Sequence, residues 1–512
     1  MRPIYKEEPR VALNFSEVVT LSGGSVINEP SEAVSLSEIG LDSTQLPEGA
    51  VFAALPGTKV HGATYAQGCE AAVILTDHAG ADILREAEES RPIIVVDDVR
   101  EILGPVSAAI YNNPSDKLTI IGVTGTSGKT TTSYMLEKGM MKAGHRVGLI
   151  GTTGTRINGS PVATKLTTPE APTLQRLFAT MVDEGVSHVI MEVSSHALVL
   201  GRVAGTHFAV AGFSNLSQDH LDFHPTMEDY FEAKALFFDP SSEQHAARAV
   251  VCIDDDWGVK MAEVAGDSVL RVATHGRSAE VTTSDIEVSA TGAQRFTLTV
   301  EGTEHSVQLP LPGRFNVANA ALAIACAHAA GADVDKVAEG IAEVAVPGRM
   351  ESIDEGQDFM AVVDYAHKPG AIAEVLDTVR AQISGRIAAV IGAGGDRDAT
   401  KRPIMGAEAV KRADFVVITD DNPRSEEPAA IRAEVVRGAT EQQASTSGVE
   451  VSEVGDRREA IITAINWAQP GDAVVVCGKG HETGQLIKGV NHHFDDREEV
   501  RAALQRRASE SK

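Results

Sequence analysis

The sequence predicts an α/β fold of three domains, and three observations indicate this class: the length, the alternation of elements and a restart of that alternation. At 512 residues the chain is too long for one hydrophobic core, so two to four domains are expected. Apolar strand-like runs alternate with glycine loops and helical stretches, as in parallel sheets covered by helices. After VPGRME at 346–351 the alternation begins again, which indicates a separate C-terminal domain.

The first predicted domain is a small α/β unit. Its short apolar runs, at 50–55 and 71–75, are separated by Pro, Gly and Asp. YNNPSDK at 111–117 is typical of a linker. The predicted domains are residues 1–112, 113–347 and 348–512.

Five apolar runs predict a parallel sheet in the central domain. They are LTIIGV (118–123), VGLIG (147–151), HVIMEVSS (188–195), AVAGFSNLS (209–217) and AVVCIDDD (249–256). The more polar stretch near 270–310 contains FTLTV and SVQLPL, whose alternation predicts a few added antiparallel strands.

Four further runs predict a Rossmann-like C-terminal domain. They are FMAVVDYA (359–366), RIAAVIGAGGD (386–396), DFVVITDD (414–421) and DAVVVCGKG (472–480). Each ends in glycines or charged residues, and ligands of such sheets bind at the carboxyl ends of the strands.

Composition excludes several functional classes. The net charge of −27 and an aromatic content of 4% argue against binding to nucleic acid or to anionic membranes. Four widely spaced cysteines suggest neither a disulfide framework nor a zinc site. The N-terminal stretch lacks the apolar run of a signal peptide, and no later stretch is long and apolar enough to span a bilayer. A cytoplasmic enzyme is therefore expected.

The stretch IIGVTGTSGKTTTS at 120–133 resembles a shortened phosphate-binding loop between a strand and a helix. Backbone N–H groups and the helix N-terminus would supply donors to a phosphate, and Lys129 a positive charge. The hydroxyl of Thr130 could bind Mg²⁺. The alternative is a Gly-Thr turn that only caps the helix.

TGTSGKTT, EVSSHAL and DHLDFHPTMEDYFEAK together resemble the Mur ligase family, whose members form amides with ATP in peptidoglycan synthesis. Folylpolyglutamate synthases and cyanophycin synthetases have similar loops, and the Mur family usually has Asn in place of Ser127. The resemblance implies ATP and Mg²⁺ as cofactors and an acyl-phosphate intermediate. It implies these ATP-binding residues: Gly125, Thr126, Ser127, Gly128, Lys129, Thr130, Thr131, Asn316, Asn319, Arg349, Asp364 and His367.

The resemblance also implies a magnesium site and four catalytic residues. The catalytic residues are Lys129, Glu192, His220 and Lys234, and the magnesium ligands are Thr130, Glu192, His220 and a carbamylated Lys234. Carbamylation would turn a cation into an anion with oxygen ligands, which suit Mg²⁺. From residue type alone, His220 could instead cap a loop and Lys234 could be a solvated helix residue. Asn316 and Asn319 could likewise be helix caps.

Two further groups of residues are implied as substrate sites. A UDP-linked substrate would bind Ser43, Thr167, Thr168, Ser194 and Arg202. An amino acid would bind Arg397, Asp421, Asn422, Pro423, Arg424, Gly478 and Glu482.

The motif DNPR at 421–424 resembles the signature of family members that add meso-diaminopimelate. A guanidinium at Arg424 could hold the distal carboxylate of diaminopimelate by two parallel hydrogen bonds. The ammonium of lysine would bring a like charge there instead. On spacing alone, DNPR could also be a turn with a surface arginine.

The expected substrates are therefore UDP-N-acetylmuramoyl-L-alanyl-D-glutamate and meso-diaminopimelate, and a monomer is expected. The alternatives are the same ligation with L-lysine, a ligase similar to folylpolyglutamate synthase, and a nucleotide-regulated binding protein without ligase turnover.

Overall fold

The computed structural model describes residues 12–164, 166–221, 223–289 and 292–510. Residues 1–11, which bear on the expectation that there is no signal peptide, lie outside this part of the chain. Three large β-sheets, formed by successive stretches of chain, dominate the fold. The predicted α/β class with three sheet-based units is confirmed, whereas the exact domain limits stay a prediction.

The first stretch forms a five-stranded sheet beside a two-stranded ribbon. Its strands are β1 (Leu13–Asn14), β2 (Ser25–Ile27), β3 (Ser35–Leu36), β4 (Glu38–Gly40), β5 (Ala50–Ala54), β6 (Val73–Asp77) and β7 (Ile93–Val96). Its helices are α1 (Phe15–Ser22), α2 (His78–Glu86) and α3 (Val99–Ile110). The sheet order is β2-β7-β6-β5-β4, parallel except for β2. The predicted linker at 111–117 contains a 3-10 turn, Pro114–Lys117, whose first two residues are buried.

The central stretch forms an eleven-stranded mixed sheet. Its strands are β8 (Thr119–Thr124), β9 (Val147–Gly151), β10 (Gly154–Ile157), β11 (Ser160–Val162), β12 (His188–Glu192), β13 (Val210–Phe213), β14 (Arg248–Cys252), β15 (Leu270–Ala273), β16 (Val281–Val288), β17 (Gln294–Val300) and β18 (Thr303–Leu309). Its helices are α4 (Lys129–Lys142), α5 (Ala171–Asp183), α6 (Ser195–Val199), α7 (Met227–Ala235), α8 (Asp256–Ala265), α9 (Arg314–Ala329) and α10 (Val334–Ile341).

The order of this sheet is β11-β10-β9-β12-β8-β13-β14-β15-β16-β17-β18. The sheet is parallel from β9 to β16 in this order. Strands β17 and β18 are the predicted antiparallel addition. Strand β8 lies between β12 and β13, so the carboxyl ends of these three strands open on the same edge.

The third stretch forms a six-stranded sheet of order β19-β20-β24-β21-β22-β23. Its strands are β19 (Glu351–Ser352), β20 (Met360–Asp364), β21 (Ile387–Ala393), β22 (Phe415–Asp420), β23 (Glu450–Glu453) and β24 (Ala473–Cys477), followed by the hairpin β25 (Gly484–Ile487) and β26 (Val490–His493). Its helices are α11 (Pro369–Arg380), α12 (Lys401–Val410), α13 (Pro428–Gln443), α14 (Arg457–Trp467) and α15 (Asp496–Glu510). All four predicted strands are present and parallel.

Each large sheet is buried on both faces. Separate apolar clusters fill the two sides of the central sheet, with α4, α9 and α10 on one side and α5 and α8 on the other. The C-terminal sheet likewise has α11 to α13 on one face and α14 and α15 on the other. In the described part of the chain, each helix is too short or too polar to cross a membrane.

Candidate active site

A cavity of about 430 Å³ lies between the carboxyl ends of the central strands and the loop that joins β20 to α11. Most of the residues predicted for ATP, magnesium and UDP-substrate binding line it, together with Arg397, one of those predicted to bind the amino acid. They are Thr126, Ser127, Gly128, Lys129, Thr130, Thr131, Thr167, Thr168, Glu192, Ser194, Arg202, His220, Lys234, Asn316, Asn319, Arg349, Asp364, His367 and Arg397. Ser43, Gly125 and the remaining predicted amino-acid-binding residues are not among its lining residues. One cavity therefore gathers side chains from two of the three sheets.

Two glycines shape the loop between β8 and α4. Gly125 has φ 144° and Gly128 has φ 85°, in the region that favours glycine. A Cβ atom would lie 2.0 Å from Ser214 Oγ at the first position and 2.2 Å from Asn319 Oδ1 at the second. Asn215 also fixes the loop, because its side-chain oxygen accepts from the N–H of residue 127 at 3.0 Å. That N–H and the N–H of Thr126, which donates to the Asn215 carbonyl at 2.9 Å, are already engaged, so the first amides of α4 and Lys129 are the donors offered to a phosphate.

The ammonium of Lys129 folds back onto its own loop. It donates to the carbonyl oxygens of Gly125 at 2.8 Å and Thr126 at 3.1 Å. Burial, followed by the charge of Lys368, lowers the pKa of Lys129 to about 8. A bound phosphate would offer this lysine a charged acceptor in place of two carbonyls, which would stabilise its protonated form.

The carboxylate of Glu192 lies beside Thr130 at the end of β12. Its Oε1 accepts from the Thr130 hydroxyl at 3.0 Å and from the Thr152 N–H at 2.9 Å, and its Oε2 accepts from the Thr152 hydroxyl at 2.9 Å. The side chain of Glu192 is buried, so these bonds fix its direction. Sequence reasoning missed Thr152, although its place directly after β9 was a signal.

The donors present suit Mg²⁺, which prefers oxygen ligands and usually completes its shell with water and phosphate. The hydroxyl of Thr130 and the carboxylate of Glu192 are adjacent and face the cavity. Among the described residues, no group of three or more His, Cys, Asp and Glu side chains could hold a metal. A bound magnesium ion would therefore depend on nucleotide oxygens for part of its coordination.

His220 stands in a left-handed conformation, with φ 54°, on the loop after β13. Its Nε2 lies 3.1 Å from Asp219 Oδ2. Burial lowers the pKa of His220 to about 3, against the opposing charge of Asp219, so the neutral ring is favoured. A neutral imidazole is the form that binds metals.

Lys234, on α7, is 1% exposed. Its amine donates to the Thr124 hydroxyl at 3.3 Å and the Gly125 carbonyl at 3.2 Å, and lies 4.6 Å from the centre of the Tyr230 ring. Burial and the charge of Lys129 hold the pKa of Lys234 well below its usual range. The reading of Lys234 as a solvated helix residue is thus wrong.

Asn316 and Asn319 lie in the first turns of α9 and bind each other. Asn319 Nδ2 donates to Asn316 Oδ1 at 3.0 Å, and Asn316 Nδ2 donates to the Pro312 carbonyl at 2.7 Å. Asn319 and Phe315 also line a second cavity of about 690 Å³ beyond the phosphate loop. The two cavities meet at this loop.

The C-terminal stretch contributes Arg349, which precedes β19, Asp364 at the end of β20, and His367 on the loop from β20 to α11. The guanidinium of Arg349 lies over the Tyr365 ring at 4.3 Å, and its Nη2 reaches Thr130 Oγ1 at 3.5 Å. Within the described chain, nothing accepts from its buried Nε. Asp364 accepts from two backbone N–H groups at 2.7 Å, and burial raises the pKa of its carboxyl. Burial lowers the pKa of His367 to about 3.

Four of the five predicted UDP-substrate residues line the cavity, and Ser43 does not. Thr168 Oγ1 donates to the Glu192 carbonyl at 2.8 Å and accepts from the Ser194 N–H at 3.2 Å, while Arg202 pairs with Glu170 at 2.8 Å. Ser43 lies on the loop after β4. The sequence did not indicate Glu170 as the partner of Arg202.

The residues predicted to bind the amino acid form a network at the ends of β22 and β24. Asn422 Nδ2 donates to Glu482 Oε2 at 2.8 Å. The buried Lys479 donates to Asn422 Oδ1 at 3.0 Å and lies 3.7 Å from Asp421 and 3.6 Å from Glu482. At Gly478, which has φ 125°, a Cβ atom would lie 2.8 Å from Asp421 Oδ2. Lys479 was missed, although it lies inside the motif GKGHE.

Arg424 is placed at the rim of this network. It has φ 53°, its N–H donates to the Leu486 carbonyl at 2.9 Å, and its Nη1 donates to the Gly395 carbonyl at 2.6 Å. Pro423 precedes it and accepts from the N–H of Glu426 at 3.0 Å. The DNPR segment is therefore a turn held by these hydrogen bonds, and the Arg424 guanidinium contacts the loop after β21. Tyr365 connects the network to the cavity, because its hydroxyl donates to Glu482 Oε1 at 3.5 Å.

Three family models match successive parts of the chain. The Mur ligase family catalytic domain matches residues 35–111, the Mur ligase middle domain matches 123–327, and the Mur ligase glutamate ligase domain matches 348–480.

Curated proteins and a solved structure are similar over nearly the whole chain. Two proteins called UDP-N-acetylmuramoyl-L-alanyl-D-glutamate–2,6-diaminopimelate ligase are 63% and 59% identical, from Corynebacterium glutamicum and Corynebacterium efficiens. The alignments cover 94% and 99% of this chain and 95% and 97% of those proteins. A solved structure of a ligase with the same name has a TM-score of 0.67 and 33% identity, covering 97% of this chain and 99% of that one.

Proposed function

Because this chain belongs to the Mur ligase family, we propose that it is the ligase that joins meso-diaminopimelate to UDP-N-acetylmuramoyl-L-alanyl-D-glutamate, with ATP, in peptidoglycan synthesis. The observation that supports this most directly is the arrangement of the cavity. The phosphate loop with Lys129 faces Arg349 and His367 across it, and the network around Asn422 and Glu482 begins at its edge. We also propose a cytoplasmic location.

The reaction has two steps. In the first, a carboxylate oxygen of the UDP-linked substrate attacks the γ-phosphorus of ATP, the bond to the β–γ bridging oxygen breaks, and ADP leaves. In the second, the amine of the amino acid attacks the acyl carbon, phosphate leaves with the electron pair, and the amine loses a proton. Amide, ADP and phosphate are the products.

Lys129 stabilises the charge that develops on the transferred group, because its ammonium is already aimed at the loop. Arg349 extends from the other side of the cavity toward Thr130, and its buried Nε needs an acceptor. Mg²⁺, held by Thr130 and Glu192, would supply further positive charge at the phosphates. Substrates bound between the two sheets would limit the access of water to the acyl phosphate.

Recognition of the amine would depend on charge at both ends of diaminopimelate. Asp421 and Glu482 are anionic partners for an ammonium, while Arg397 and Arg424 are partners for carboxylates. L-Lysine has no distal carboxylate and would bring its side-chain ammonium toward Arg424, a like-charge contact. The network therefore favours meso-diaminopimelate.

The test is ligation with a panel of amino acids. ATP, UDP-N-acetylmuramoyl-L-alanyl-D-glutamate and either meso-diaminopimelate, L-lysine or L-glutamate are supplied, and the product is identified by mass. We expect strong preference for meso-diaminopimelate, which collapses in Arg424→Ala and persists in Arg437→Ala, a change at an exposed arginine on α13. Comparable efficiency of the wild type with diaminopimelate and lysine would refute the proposal, and preference for glutamate would favour the folylpolyglutamate synthase alternative.

A further inference from the structure

Lys368 occupies the junction of the two cavities. It is the last residue before α11, and its side chain lines both the cavity between the sheets and the second cavity beyond the phosphate loop. The side chain is 13% exposed, and its Nζ lies 2.6 Å from Asp219 Oδ2. This ion pair joins a residue beside the C-terminal sheet to a residue of the central sheet's edge.

The same ammonium also approaches the phosphate loop. Lys368 Nζ lies 3.4 Å from the carbonyl oxygen of Thr126, and Lys129 donates to that same oxygen at 3.1 Å. Two lysines from different parts of the fold therefore share one neutral acceptor. Like charges at such short range repel, and a carbonyl dipole compensates two cations less well than an anion does.

A phosphate would change this balance. An anionic oxygen between the two ammonium groups would convert their repulsion into two charge-assisted hydrogen bonds. Lysine acts on phosphate as a point charge on a flexible stem, so Lys368 can move from Asp219 to a phosphate by rotating its side chain. Asp219 also contacts His220 Nε2 at 3.1 Å, so it keeps a partner when Lys368 leaves.

We propose that Lys368 is a catalytic residue, whose ammonium leaves Asp219 when ATP binds and donates to an oxygen of the γ-phosphate, opposite Lys129. Without nucleotide, Asp219 holds this lysine ready beside the loop. The inference rests on the proposed function, because it assigns a role in phosphoryl transfer. A cation supplied from a second structural unit to the transferred group stabilises the transition state, which gains charge there.

The test compares binding of ADP with binding of a non-hydrolysable ATP analogue, by titration calorimetry in magnesium buffer, and adds the kcat of ligation. The variants are Lys368→Met, Lys368→Arg and, as a control, Lys336→Met at an exposed lysine on α10. We expect Lys368→Met to weaken binding of the triphosphate analogue by on the order of 10- to 100-fold and to leave the affinity for ADP within about twofold of the wild type. Its kcat should fall by at least the same factor, Lys368→Arg should recover part of both losses, and Lys336→Met should match the wild type.

A role confined to the ion pair gives a different result. If Lys368 only joins the two parts of the fold, Lys368→Met and Asp219→Asn should lower the melting temperature by similar amounts and change the affinities for ADP and for the analogue equally. That result would overturn the inference. Unchanged analogue binding in a folded Lys368→Met enzyme overturns it too. Failure of the wild type to bind either nucleotide would instead contradict the proposed function itself.

Discussion

Burial lowers the pKa of both lysines beside the phosphate loop, Lys129 and Lys234. Both line the cavity, but Lys129 has two carbonyl acceptors, whereas the amine of Lys234 has one carbonyl and one hydroxyl and lies near the charge of Lys129. A neutral amine is the form that adds CO₂, so the lowered pKa of Lys234 favours the carbamate that the family resemblance implies. A carbamate would also place an anion with oxygen ligands next to the proposed magnesium site.

We expect Lys234→Ala to inactivate the enzyme, and short carboxylates such as acetate to restore part of the activity. The truncation leaves a space beside Gly125 into which a carboxylate can bring the missing oxygens. Ligation rates are measured with and without added acetate, with chloride as the salt control. Full activity of the variant without any additive would contradict the role given to Lys234.

Lys129→Ala should abolish formation of the acyl phosphate while binding of the UDP-linked substrate largely survives. Lys129 is the first residue of α4, whereas Ser194 and Arg202 follow β12, and Thr168 contacts the end of β12 through the Glu192 carbonyl. Calorimetry of the UDP-linked substrate and trapping of the acyl phosphate separate the two effects. Equal loss of both would indicate a folding defect rather than loss of a charge.

At the scale of elements, the sequence predicted strand ends well and contacts between segments poorly. Apolar runs followed by glycine located β8 and its loop. Glu192, which ends β12, and Asn422, which follows β22, lie at the predicted edges. The pairing of Lys368 with Asp219 could not be predicted, because it joins distant segments. The hairpin of β10 and β11 also went unpredicted, since its strands are short and polar.

The C-terminal sheet depends on one buried ion pair that no local pattern indicates. Arg457 on α14 and Asp496 at the start of α15 are both fully buried at 2.7 Å, and Arg457 also donates to the carbonyls of Asp420 and Cys477. These carbonyls end β22 and β24, the two strands that lead into the amino-acid network. The pair thus holds the carboxyl ends of β22 and β24 in place beside the amino-acid network.

We expect Arg457→Met to destabilise the C-terminal unit by about 3–5 kcal/mol, because it leaves the Asp496 carboxylate buried without its partner. The neighbouring Arg458→Met, which breaks a more exposed pair with Glu499, should cost about 0–1 kcal/mol. Urea unfolding followed by the fluorescence of Trp467, in a Trp257→Phe background, measures both. Equal effects of the two changes would show that burial of the pair does not matter.

At the scale of the whole molecule, chemistry requires groups from more than one sheet. The phosphate loop and Glu192 belong to the central sheet, while Arg349, His367 and the network of Asn422 and Glu482 belong to the C-terminal one. The substrate carboxylate and the amine must therefore meet in a cavity that neither sheet encloses alone. Turnover of ATP should therefore depend on binding of ATP, the UDP-linked substrate and the amino acid together.

Steady release of phosphate from ATP should therefore require the UDP-linked substrate and meso-diaminopimelate together. Without the UDP-linked substrate no carboxylate accepts the phosphoryl group, and without the amine the reaction stops at the acyl phosphate. A coupled phosphate assay with each substrate omitted in turn measures this requirement. In the same assay, Glu482→Gln should reduce the response to diaminopimelate without affecting formation of the acyl phosphate. Rapid phosphate release from ATP alone would mean that the cavity does not couple the two steps, and the absence of release with all substrates present would support a binding protein instead.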